Sequence, residues 1–108
     1  MAIKEEPNLS YIHQLSGGDP AFETRLLEVV KRELPEECDV WRKNIKNENF
    51  AEASNNVHKL KHKISILGLE ESYRFAETYE DELRDGHNLR QQEFEEILQL
   101  MLSFIKTT

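Results

Sequence analysis

A chain of 108 residues, 38% hydrophobic and 32% charged, has room for one modest core and reads as a single domain over residues 1–108. Its four glycines and three prolines are too few for an all-β fold with many tight turns, and no apolar run approaches the roughly 20 residues that span a bilayer. A net charge of −7 speaks against a nucleic-acid partner, which would call for a basic face.

Met1 to Pro7 is charged and lacks the apolar core of a signal peptide, so a cytoplasmic protein with no membrane partner is expected. Leu9, Ile12 and Leu15 fit a short first helix, closed by Ser16-Gly17-Gly18. Asp19 then caps a second helix, with Pro20 in its first turn, where a missing N–H costs nothing. Phe22, Leu26, Val29, Val30, Leu34, Cys38, Trp41 and Ile45 carry that helix on at spacings of three and four. Pro35 lies inside it and is expected to kink it rather than end it, because the apolar pattern resumes at once. Cys38 is the single cysteine, has no internal partner, and is expected to be a reduced, partly buried thiol.

Asn47-Glu48-Asn49 makes a turn, and Asn49 followed by Glu52 reads as a capping box for a third helix that ends near Gly68. A fourth helix is expected from about Leu69 to Asp85, with Tyr73, Ala76, Tyr79 and Leu83 apolar and Gly86 as its stop signal. Asn88 with Gln91 caps a fifth, striped by Phe94, Ile97, Leu98, Met101, Leu102 and Ile105. No segment alternates as a strand would. The expected fold is all-α: an antiparallel up-down four-helix bundle, with the short first helix covering one end.

The densest chemistry lies in the third helix, in the run from Val57 to Leu69. On a helical wheel Phe50, Ala53, Val57, Leu60, Ile64 and Leu67 share one narrow face. Ser54, His58, Lys61 and Ser65 fall together on its flank, with His62 slightly further round. A histidine ring is thus held by the core while it faces water, with an ammonium and hydroxyls nearby. That combination suits a nucleophile that accepts and holds an anion. A surface histidine without a task, and a solvated Lys61, are the plain alternatives.

This run resembles the phosphorylation motif of histidine phosphotransfer (HPt) domains through His58, Leu60, Lys61, Gly68 and Leu69. His62 stands where that family usually has a glycine that leaves room for a partner, and Lys63 and Ile64 replace the usual small residues. The flanking helices extend the resemblance over most of the chain. It implies a phosphoryl carrier in a two-component phosphorelay, not an independent enzyme, with His58 as phosphoacceptor and Lys61 pairing with the phosphoryl oxygens. Its partners would be receiver domains of hybrid histidine kinases and response regulators. The chain would bring no cofactor of its own, and the receiver would supply Mg²⁺. A monomer is expected.

Glu80 stands twelve residues after Gly68, where the family commonly places a polar residue that approaches the histidine from the next helix. It would orient the ring by accepting its N–H; a surface ion pair with Arg84 is the alternative. Ser65 and Ser54 are candidates for polar support. His58 and His62, four residues apart, have a spacing that fits one metal ion, but no second pair of ligands is evident. A helical adaptor without phosphotransfer is the rival reading.

Overall fold

The computed structural model of the protein describes residues 5–108. These form five helices and no strand: α1 (Ser10–Ser16), α2 (Pro20–Lys46), α3 (Phe50–Ile66), α4 (Glu70–Arg84) and α5 (Gln91–Lys106). Around the bundle α2 packs on α3, α3 on α4, α4 on α5, and α5 back on α2. Short turns join these four, so they form an antiparallel up-down bundle. The apolar stripes meet in one core, where Trp41 packs edge-on against Phe94 and Tyr79, at 5.1 and 6.2 Å between ring centroids.

α2 has 27 residues, whereas α3, α4 and α5 have 17, 15 and 16. Its first ten residues therefore outrun the other three helices, and none of them is buried. This corrects the expected stripe at one end: Phe22 is exposed, and Leu26 and Val29 are only half-buried, because no long helix lies opposite them. α1 packs against α2 and buries Ile12. The helix runs unbroken through Pro35. Cys38 is fully rather than partly buried, and burial pushes its thiol up to about 12.

Two of the expected caps differ. Asp19 accepts from the Ala21 N–H at 3.0 Å, with Pro20 behind it in the first turn, as expected. Asn49 does occupy the N-cap of α3, but its side chain makes no capping bond. The turn is held by backbone instead: Asn49 N–H donates to the Asn44 carbonyl at 2.8 Å, and Glu48 takes a left-handed φ of 56°. At α5 the N-cap is Arg90, not Asn88. The free N–H groups of Leu89 and Arg90 donate to Glu82 Oε2, at 2.5 and 3.1 Å. Asn88 is drawn off by the Tyr79 hydroxyl, which donates to it at 2.7 Å.

The segment before α1 is stitched across the α3–α4 turn. Glu5 accepts from the N–H groups of Glu71 and Ser72, both at 2.8 Å, and so caps α4. Asn8 N–H donates to the Leu67 carbonyl at 2.8 Å. Gly68 has a φ of +77°, and a Cβ there would lie 2.7 Å from the Asn8 amide. The backbone therefore requires glycine, and a Cβ would in addition have to push the Asn8 side chain aside.

Candidate functional site

His58 sits in the middle of α3, on the flank of the core stripe. Val57 and Leu60 are fully buried beside it and fix the helix rotation. The His58 side chain is 54% exposed. Its Nδ1 lies 3.2 Å from Glu80 Oε2, on α4. Glu80 is only 3% exposed, so a buried carboxylate holds one edge of an open ring.

That carboxylate has three cationic or polar neighbours. Lys61 Nζ is 2.9 Å from Glu80 Oε1. Arg84, one turn along α4, donates from Nη2 to Oε2, the oxygen that also faces His58. Burial disfavours the charged form of Glu80, but the hydrogen bond and charge of Lys61 outweigh it, with help from Arg84 and His58. The carboxyl is held below the usual carboxylate range. The same balance holds for Lys61: burial opposes its charge, and Glu80 raises its pKa above that of a free lysine. All these groups sit within one helix turn of the α3–α4 contact.

The three lysines of the run part company. Lys59 is exposed. Lys63 reaches α2, where its Nζ lies 3.0 Å from Glu33 and 3.2 Å from Glu37. Lys61 turns to α4, is only 11% exposed, and lies 5.5 Å above the Tyr73 ring. It is on the same side of α3 as His58, but its first partner is Glu80 rather than open solvent.

The serines are not brought to the ring. Ser54 is buried and donates to the Ala51 carbonyl at 2.6 Å. Ser65 is exposed two turns beyond His58, in a groove of 510 Å³ shared with Asn8, Tyr11, Gln14, Gly68 and Tyr73. His62 is exposed beside His58, with ring centroids 5.5 Å apart and planes at 72°. Among the described residues no cluster of three or more His, Cys, Asp or Glu side chains is placed to hold a metal ion.

Arg84 is the member of the site that sequence reasoning underrated. Its spacing of four from Glu80 showed the pair, but that spacing reads as an ordinary surface bridge. Only the burial of Glu80 and the approach of His58 put the guanidinium beside the ring.

Among the described residues no helix is long and apolar enough to cross a membrane. Neither the curated proteins nor the solved structures contain a match to the chain. Residues 25–107 match the family model of the Hpt domain. That span takes in α3, α4 and α5 whole, most of α2, and all of the site around His58. The five-helix architecture agrees with it, and the chain belongs to the Hpt domain family, whose members carry phosphoryl groups on histidine in phosphorelays.

Proposed function

We propose that the whole chain, as one domain, carries a phosphoryl group on Nε2 of His58 and exchanges it with the aspartates of receiver domains. The observation that carries this reading is the 3.2 Å contact between Nδ1 and the buried Glu80 carboxylate. In the neutral ring one nitrogen bears hydrogen and the other a lone pair. A carboxylate beside Nδ1 favours the proton there, which leaves the lone pair on Nε2 at the open edge.

The step then balances simply. The Nε2 lone pair attacks phosphorus in a receiver aspartyl phosphate, the P–N bond forms, and the P–O bond to the aspartate breaks. The aspartate leaves as a carboxylate with the electron pair. The ring keeps its Nδ1 proton and becomes cationic, next to Glu80. Transfer to another aspartate is the reverse. Glu80 therefore stabilises the charge that appears on the ring, and acts through His58 rather than on phosphorus.

Lys61, Arg84 and Glu80 together carry a net charge of +1 beside the His58 ring. That surplus offsets part of the phosphoryl charge, with Arg84, half exposed, the freer of the two cations. Phosphoryl transfer relies mainly on positioning and charge neutralisation, and the receiver's Mg²⁺ supplies the rest. The chain thus needs no cofactor of its own. Ser65 is too far along α3 to touch the group, roughly 10 Å of helix rise away. It belongs with Tyr11, Gln14 and Tyr73 to the rim on which a receiver from a hybrid histidine kinase or a response regulator docks. The carrier acts as a cytoplasmic monomer.

The test is transfer from a receiver charged with acetyl phosphate, without ATP. Wild type should gain label that is labile in acid and stable in base, and His58→Gln should gain none. Binding of charged receivers with no label in wild type would place the chain with helical adaptors instead.

A further inference from the structure

We propose that His62 is a second contact for the phosphoryl group held on His58. This rests on the reading above and adds to it a residue specific to this chain. Side chains on a helix lean toward its N-terminus, so a residue four positions on covers the surface next to its predecessor. The rings of His58 and His62 lie 5.5 Å apart and nearly perpendicular. A group added to the open edge of His58 projects into the space that His62 borders.

Two of the other cations at this face are committed, and Lys59 is exposed. Lys61 and Arg84 both bond to Glu80. His62 is exposed and, among the described residues, makes no hydrogen bond or ion pair. Its only close aromatic neighbour there is His58. An imidazolium at this place donates N–H to a phosphoryl oxygen and adds a positive charge, and a neutral ring gives only the weaker bond. Such a contact raises the equilibrium share of the phosphoryl group held on His58, whatever it does to the rate of transfer.

Other groups at this face also bear charge: His58, Lys59 and Lys61 on α3, and Tyr73, Glu77, Glu80 and Arg84 on α4. All are unchanged in His62→Gln, so comparing that variant with wild type under one set of conditions sets their contribution aside. The measurement is the equilibrium share of label between the chain and a receiver domain charged with acetyl phosphate in the presence of Mg²⁺. Wild type should hold up to fivefold more label than His62→Gln, the scale of an exposed charge pair. His62→Lys should keep the excess.

Equal label on wild type and His62→Gln would overturn the role of His62 and leave the carrier reading standing. Absence of label on wild type would overturn both. Higher label on His62→Gly than on wild type, with the helix content unchanged by circular dichroism, would show His62 to be an obstruction and would also overturn the proposal.

Discussion

Nδ1 of His58 faces a buried carboxylate, while the side chain as a whole is 54% exposed. Glu80 holds that edge of the ring while bonded to Lys61 and Arg84. Glu80→Gln should therefore cost about 1–3 kcal/mol of stability at neutral pH, between the values for exposed and buried pairs. The sign at each end of the pH scale follows from the two shifts. Glu80 has a lowered pKa, so its contribution is complete above the unfolded carboxylate value of about 4.3 and is lost as pH falls through the lower folded value. Lys61 has a raised pKa, so its contribution is complete below about 10.4 and is lost as pH rises through the higher folded value. Urea melts should show the gap between wild type and Glu80→Gln flat in between and narrowing at both extremes. A gap that widens in acid would contradict the ion pair. In the sequence, the flank position of His58 and the approach of Glu80 were legible from helical spacing and from resemblance. The commitment of Lys61 to Glu80 was not, because the side chain can turn outward or inward from the same backbone position, and only the packing of α4 decides it.

At the scale of the element, α3 is the helix on which the site depends. Its apolar stripe buries Val57, Leu60, Ile64 and Leu67 completely, and this rotation leaves His58 at the edge. Leu60→Ala should destabilise the bundle by roughly 2–5 kcal/mol, since it empties a core position. A neutral effect in thermal melts would mean that α3 is rotated differently and that His58 is not where it is described. The helices themselves were readable from spacings of three and four, because burial on one face imposes that period. Their caps were less so. Asp19 caps α2 from the adjacent position, a local pattern that sequence reveals. Glu82 serves α5 from the preceding helix and Glu5 serves α4 from 66 residues away, and no local motif announces a cap made in three dimensions. Phe22 failed for a related reason: periodicity shows which face is apolar, but not whether a neighbouring helix is long enough to cover it.

Across the whole molecule, the N-terminal segment ties α1 to the α3–α4 turn at Gly68. Gly68→Ala meets two penalties, a positive φ and the Asn8 amide at 2.7 Å. The conformational part alone is roughly 1–2 kcal/mol. Asn8→Gly removes that contact but also the bond that Asn8 Oδ1 accepts from the Ser10 N–H at 3.0 Å, so the quantity to compare is the cost of Gly68→Ala with Asn8 and with Gly at position 8. Denaturant melts should show a smaller cost in the Asn8→Gly background; the same cost in both would mean that the Asn8 side chain does not press on the turn. The groove at that end, with Ser65 and Tyr73 on its walls, would then keep its shape without the strap.

In the proposed transfer, phosphoryl enters at Nε2 of His58 while Nδ1 keeps its proton against Glu80. Nuclear magnetic resonance of the ¹⁵N-histidine-labelled chain, after charging by a phosphorylated receiver, reads this directly through the coupling of ³¹P to one ring nitrogen. The expected result is coupling to Nε2 of His58, with a protonated Nδ1 and no coupling at His13, His62 or His87. Coupling at Nδ1 of His58, or phosphorus on His62 instead, would contradict it.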